Sequence, residues 1–255
     1  DLSYTVHYYW NGTTEKVHED KVVPNKTYGE EVTEKVVVTI NPGYTPVNSA
    51  QEEKINIGAG TNEIIFYYYK NVELTAESDT TIYDGTEKSV NGIDTVNGTV
   101  ENYPANFSNI SVGATGTDAG TYPAKFPDGT NGTQKTIGTV DATGKYIVTA
   151  ATDGKLTIAK RTVTLKSADL NKKYDGTALT NGKTALETET GWVEGEGATY
   201  EFTGSQTIVG SSANAFSYTL NKGTKAENYN IGKTEGTLTV TNRTEKYGIK
   251  VEANS

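Results

Sequence analysis

Val72–Thr86 reads VELTAESDTTIYDGT and Val163–Thr177 reads VTLKSADLNKKYDGT, so one phrase occurs twice, with its YDGT turns 91 residues apart. The units that these phrases open also close alike: Tyr146–Arg161 (YIVTAATDGKLTIAKR) returns as Tyr229–Arg243 (YNIGKTEGTLTVTNR), one residue shorter. A third copy begins at Ile249 (IKVEANS) and stops before a YDGT of its own. Repetition at this period means tandem modules, each packing against its neighbours, and excludes a single enzyme-sized core. The repeat divides the chain into 1–70, 71–160, 161–242 and the truncated start 243–255.

Composition narrows the function classes. Modules of this size bury only about 60–65% of their unfolded surface, so each is modestly stable alone. The absence of cysteine rules out disulfide staples and thiolate metal sites. A formal charge of −9 argues against nucleic acid and anionic membrane as partners, since both require a basic footprint. No run of 18 apolar residues is present, so no transmembrane helix is expected. The chain starts at Asp1 without a signal peptide and stops inside a repeat, as a piece of a longer protein would.

Alternating segments rich in Val, Ile, Thr and Tyr dominate, among them Tyr4–Trp10, Asn62–Tyr69, Thr162–Lys166 and Thr237–Thr241. Five Asn-Gly pairs, starting at Asn11, Asn91, Asn97, Asn131 and Asn181, supply turn signals. The class is all-β or strongly β-rich, an elongated array of three small modules. Asn11-Gly12 as a two-residue hairpin loop would set Tyr8 against Glu15 and Val6 against Val17. Tyr4, Val6, Tyr8, Trp10 and Val17 would then share one face. Gly29 with Glu30–Lys35 is the one candidate for a short helix. Hairpin, crossover and further strands make residues 1–70 β-grasp-like, and the joints at 70/71 and 160/161 lack flexible linkers.

Residues 1–70, with YTVHYYWNG, PGY at Pro42–Tyr44 and NEIIFYYYK, resemble the mucin-binding-protein (MucBP) domains of Gram-positive surface adhesins. Residues 71–160 and 161–242 resemble MBG-type repeats of the same proteins, through YDGT, DAGTY at Asp118–Tyr122 and the closing stretch Ala226–Val240. The resemblance implies a secreted, cell-wall-attached parent, adhesion to mucus glycans or host proteins, and no catalytic residues. Lys–Asn isopeptide staples occur in Gram-positive surface domains of several kinds, and each would lower the intact mass by one ammonia.

In Tyr83-Asp84-Gly85-Thr86 and Tyr174-Asp175-Gly176-Thr177, a tight Asp-Gly turn with the tyrosine anchored in the core outweighs a metal-contact reading. His7 and His18, diagonal in the hairpin register above, could share a metal, but only two histidines beside Lys16 make a poor zinc site. Asp118, Asp128, Asp141 and Asp153 are scattered singletons without a calcium-loop spacing. Glu187, Glu189, Glu194 and Glu196 cluster in a Gly-flanked loop, yet nothing supplies the paired carboxylates in a cleft that glycosidases use. Tyrosine outnumbers phenylalanine 17 to 5, and exposed Tyr9, Tyr67, Tyr69 and Trp192 are the candidates for stacking on a ligand.

The sequence therefore reads as a non-catalytic, monomeric adhesin fragment without cofactor or metal. Residues 1–70 would recognise a mucin glycan or an extracellular protein, and the two repeats would form a semi-rigid stalk. A purely structural spacer, or an accessory module of a secreted carbohydrate-active enzyme, are the alternatives.

Overall fold

The computed structural model describes residues 1–97, 107–130, 135–182 and 185–244. Gly98, the Asn-Gly pair at 131–132 and the third copy from Ile249 lie outside them. The protein is an all-β, tandem-module chain in two compact units. Unit 1 comprises Asp1–Asp79, Ser89–Thr115 and Thr121–Leu156; unit 2 comprises Thr80–Lys88, Gly116–Gly120 and the chain from Thr157 on.

Unit 1 opens with β1 (Leu2–Trp10), β2 (Lys21–Lys26), β3 (Glu31–Lys35), β4 (Tyr44–Pro46), β5 (Glu52–Asn56) and β6 (Glu63–Ala76). β1 lies parallel to β6, with Tyr9 opposite Tyr67, and antiparallel to β2; β4 runs antiparallel on β6. This central parallel pair with antiparallel neighbours is what a hairpin, a crossover and a returning strand produce. Even-numbered residues point inward: Tyr4, Val6 and Tyr8 of β1 meet Ile64, Phe66 and Tyr68 of β6, and Val17, Val32, Val36 and Ile57 close the core. Tyr68 is fully buried, and its hydroxyl donates to the Val37 carbonyl at 3.0 Å. Burial pushes its pKa up to about 12.

Two sequence expectations change here. The hairpin loop is Asn11–Thr14: Trp10 N–H donates to Glu15 O, and Tyr9 bridges to Lys16. Asn11 is drawn out of a tight-turn role because its N–H donates to Tyr68 O and its side chain to Gly144 O. The slip is by two residues, so every side chain keeps its face, and Val17 still joins Tyr4, Val6 and Tyr8. The expected helix at Glu30–Lys35 is instead β3, paired antiparallel with β5 from Glu31 opposite Asn56 to Lys35 opposite Glu52. Val32 and Val36 face the core, while the Glu34 carboxylate between them accepts from Tyr4 Oη and Lys21 Nζ, both at 2.6 Å. Branched residues at alternate positions, with a charge partnered at the sheet rim, favour a strand over a helical turn.

β6 does not end where the sequence places the module boundary. It runs 14 residues through Lys70-Asn71 without a phase break, burying Val72, Leu74 and Ala76 after Ile64, Phe66 and Tyr68. Next come β7 (Asp79–Ile82), β8 (Lys88–Asn91), β9 (Ile93–Asn97), β10 (Gly113–Gly116), β11 (Gly120–Ala124), β12 (Tyr146–Thr152) and β13 (Gly154–Ala159). β12 lies parallel to the second half of β6 from Tyr146 opposite Lys70, and β9 lies antiparallel to it. Strands of module one (β1, β2, β4) and of module two (β9, β12) thus share one sheet through β6. The Trp10 ring stands edge-on to Tyr146 at 5.5 Å, and its Nε1–H donates to Lys145 O at 2.9 Å.

Unit 2 adds β14 (Arg161–Lys166), β15 (Leu170–Lys173), β16 (Leu179–Thr180), β17 (Thr188–Thr190), β18 (Ala198–Phe202), β19 (Ser205–Gln206), β20 (Gly210–Ala213), β21 (Phe216–Leu220), β22 (Tyr229–Thr234) and β23 (Thr237–Thr241), with a 3-10 turn at Ala226–Asn228. The repeats are built alike. β14 pairs β22 in parallel with Arg161 opposite Tyr229, as β6 pairs β12 with Lys70 opposite Tyr146. The sheet β15–β23–β20 matches β7–β13–β11. At the head of each closing strand a glycine is pressed on a backbone: a Cβ on Gly154 would stand 2.0 Å from Glu77 O, and one on Gly236 2.3 Å from Ala168 O. Val163, Leu165, Phe216, Leu238 and Val240 form the module-three core.

Candidate binding surface

The odd-numbered residues of β1 and β6 lie on the face of the unit 1 sheet opposite its core. Register places His7 beside Ile65, Tyr9 beside Tyr67 and, on β4, Thr45 beside Tyr69. Three of the four aromatic candidates, Tyr9, Tyr67 and Tyr69, therefore share one face. Tyr67 is 36% exposed, Tyr9 and Tyr69 are half-buried, and the exposed Val47 follows Pro46 of β4. The His7 ring stacks on Tyr9, 5.4 Å between centroids and 12° between planes. His7 Nδ1 lies 3.0 Å from Asp20 Oδ2 and Nε2 3.6 Å from Glu63 Oε1, while Lys16 Nζ reaches Asp20 at 2.7 Å. Burial works against the Asp20 charge, but Lys16 and His7 outweigh it and hold its pKa below the usual range.

His18 is not His7's partner. Its ring stands edge-on to Tyr8 at 5.7 Å and its Nδ1 lies 2.9 Å from Glu19 O, so the diagonal pairing expected from the tighter hairpin does not form. Among the described residues, no group of three or more His, Cys, Asp or Glu side chains could hold a metal ion. The single aspartates cap backbone instead. Asp128 accepts from Thr130 N–H, Asp153 from Phe126 N–H, and Asp141 from the N–H groups of Thr143, Lys145 and Tyr146.

Trp192 belongs to unit 2, apart from the three tyrosines, and is half-buried there. It meets Tyr229 edge-on at 4.8 Å, and its Nε1–H reaches Tyr200 Oη at 3.4 Å. Its loop is held by Arg161, whose Nε–H donates to Gly191 O at 2.6 Å.

The two YDGT turns share one geometry. Asp84 Oδ1 accepts from Thr86 N–H at 2.9 Å and Oγ1–H at 2.7 Å; Asp175 Oδ1 accepts from Thr177 at 2.9 and 2.8 Å. Gly85 and Gly176 take φ of 80° and 84°, which glycine adopts without strain. Lys88 and Lys172 head the contacts that hold the Asp84 and Asp175 carboxyls well below the usual range. The tyrosines differ. Tyr83 is 5% exposed, whereas Tyr174 is 38% exposed and not anchored in a core as expected.

What buries Tyr83 escaped the sequence reading. Glu196 accepts from the Tyr83 hydroxyl on one carboxylate oxygen and from Tyr229 Oη at 2.9 Å on the other, and the two rings meet edge-on at 5.5 Å. Burial first, then the Glu196 bond, push the Tyr83 pKa up to about 12. Asp118 of the DAGTY motif accepts from Asn228 Nδ2 at 2.9 Å and pairs with Lys225 at 2.5 Å, while Ala119 N–H donates to Asn228 Oδ1 at 2.7 Å. The glutamate cluster splits up: Glu187 pairs with Lys166, Glu189 takes Tyr200, and Glu196 alone bridges repeats. Spacing gave no signal for this, because the partners lie 33 and 113 residues away.

No family model matches the chain. No curated protein matches it. Among solved structures it is similar to a titin tandem (I9-I11), at 9% identity over 85% of this chain and 95% of that one, with a TM-score of 0.21. A likeness that slight carries no argument.

Proposed function

We propose that the chain is a non-catalytic part of a secreted, cell-wall-attached bacterial adhesin, in which the Tyr9–Tyr67–Tyr69 face binds a mucus glycan or an extracellular protein. The observation that supports this is the gathering of three tyrosines on the solvent side of one sheet, edged by Lys16, Asp20 and Glu63. Tyrosine presents an apolar ring with a hydroxyl at its rim, which suits a ligand that is stacked on one side and hydrogen-bonded at its edge. Such a surface binds without turnover, and modules two and three hold it away from the wall. The test is binding of the full chain to immobilised mucin and to a glycan array. Replacing Tyr67 and Tyr9 by Ala should weaken binding by about tenfold or more, the scale of a loss of 1.4 kcal/mol or more. A chain that binds neither would sink this reading. It would favour the spacer reading, which the Tyr83–Glu196–Tyr229 contact between repeats supports.

A further inference from the structure

Tyr83 and Tyr174 are the same residue of two successive repeats. Each directly follows the second strand of its YDGT phrase, β7 or β15, and each donates its N–H to the end of its own module's closing strand: Tyr83 to Ala159 O at 2.9 Å, Tyr174 to Thr241 O at 2.8 Å. Each leads into an Asp-Gly turn with the same internal bonds. The backbone frame is therefore equal, and the difference of 5% against 38% exposure arises from what lies over the ring.

Over Tyr83 lies the following repeat. Tyr229, which begins that repeat's second parallel strand, stands against the ring, and Glu196 accepts both phenols. Beside them Asp118 and Ala119, the two residues before β11, hold Asn228 and Lys225. The corresponding end of module three is more exposed, although Arg243 and Thr244 lie beside Tyr174 and Lys173 Nζ donates to Thr244 Oγ1 at 2.8 Å. Gly210 opens β20 as Gly120 opens β11, so Ile208 and Val209 stand where Asp118 and Ala119 stand, and they are 71% and 47% exposed. Gly210 pairs with Val240 and Lys173 with Thr241, which brings Val209 and Tyr174 to one end of the sheet β15–β23–β20. Isolated exposed apolar residues need no explanation; three gathered at one sheet end, where the preceding repeat is covered, do.

We propose that the Tyr174–Ile208–Val209 end of module three is a docking face for one further repeat of the same kind. It would seat the tyrosine that begins that repeat's second parallel strand, the place held by Tyr146 in module two and Tyr229 in module three. Ile208 and Val209 replace the polar Asp118–Asn228 contact, so this face takes an apolar neighbour where the earlier joint takes an amide and an ammonium. The sequence supplies the register, since Ile249 begins the next copy as Val163 begins module three. Seven residues separate Thr241 from Ile249 where three separate Ala159 from Val163, so the connection in sequence is longer at this joint. The proposal does not depend on whether the tyrosine face of unit 1 binds a ligand.

The test continues the full chain past Gly248 with a second copy of residues 163–244 and maps tyrosine accessibility by nitration and mass spectrometry. Tyr174 labelling should fall toward that of Tyr83, roughly eightfold if it follows the ratio of 38% to 5% exposure. Replacing by Ala the added copy's counterpart of Tyr229 should restore it. Tyr174 labelling that is unchanged while Tyr83 stays protected would overturn the proposal. Protection that survives loss of the added tyrosine would overturn the assigned occupant. An added copy that remains unfolded, judged by the fluorescence of its own tryptophan, also counts against the proposal, because the same residues fold behind Tyr83.

Discussion

Tyr146 and Tyr229 hold the same place in two repeats, each beginning the strand that lies parallel to its module's first strand, but the preceding module meets them by different means. At Tyr146, module one arrives on a continuous strand. β6 carries its inward alternation from Ile64 to Ala76, and Trp10 stands edge-on to the tyrosine with its indole N–H on Lys145 O. At Tyr229, module two arrives through side chains: a phenol from its YDGT turn, one bridging carboxylate, and an Asp–Asn–Lys contact beside it. The first joint rests on apolar burial and backbone ladder, the second on hydrogen bonds around a charge. Apolar burial is insensitive to pH, whereas the second joint changes when its buried phenols lose their protons.

The largest effect expected is at the first joint. Trp10→Ala removes the indole and its bond to Lys145; it should cost about 3 kcal/mol in denaturant unfolding, the lower end for a large aromatic truncated to Ala because Trp10 is only half-buried. A loss below about 1 kcal/mol would mean that β6 alone carries the joint. The second joint should respond less, and asymmetrically between repeats. Tyr83→Phe removes a hydroxyl bonded to a carboxylate and should cost about 1.5–3 kcal/mol, while Tyr174→Phe, at the matching but exposed position, should lie within about 0.5 kcal/mol of wild type. Equal losses would show that the shared turn, and not the neighbouring repeat, sets the value of this tyrosine.

The smallest effect separates the joints by pH. Tyr83 titrates near 12 in the folded chain against 10 unfolded. A raised pKa favours the neutral phenol, so its contribution is complete below pH 10 and disappears as pH rises toward 12. The stability difference between wild type and Tyr83→Phe should shrink across that window, measured by urea unfolding at fixed ionic strength. The cost of Trp10→Ala should change by about 1 kcal/mol or less, the part that the Lys70 and Lys145 ammoniums over its ring contribute, and a difference for Tyr83→Phe that is flat to pH 12 would argue against the bridging carboxylate.

Much of this was legible in the chain. The echoed phrases, the Asp-Gly turns and the period-two alternation gave the class and the tandem order, because local φ/ψ preferences and face alternation act over a few residues. The hairpin illustrates the limit: the faces of Tyr4, Val6, Tyr8 and Val17 were readable, but the register was not. A two-residue slip leaves every face unchanged, and the choice was made by Tyr68 and Gly144 capturing Asn11. The segment Glu30–Lys35 misled for a related reason. Its charged residues suit a helix in isolation, and only the partner strand β5 and the Tyr4 hydroxyl give Val32 and Glu34 their places. The gathering of Tyr9, Tyr67 and Tyr69 followed from alternation once β1 and β6 were known to be parallel neighbours. That Trp192, in its Gly-flanked loop, stands edge-on to Tyr229 was not legible, because Tyr229 lies 37 residues further along the chain.

By itself the sequence determined that this chain is β-rich, modular and internally repeated, with the same turn closing the same strand in each repeat. Those properties depend on neighbours in the chain. Tertiary structure alone decided that β6 joins two modules in one sheet, that Glu196 joins Tyr83 to Tyr229, and that Tyr83 is buried while Tyr174 is partly exposed. The physical reason is the same in each case. A residue's burial and bonding depend on groups tens of residues away, and two copies of one motif differ as soon as their surroundings do.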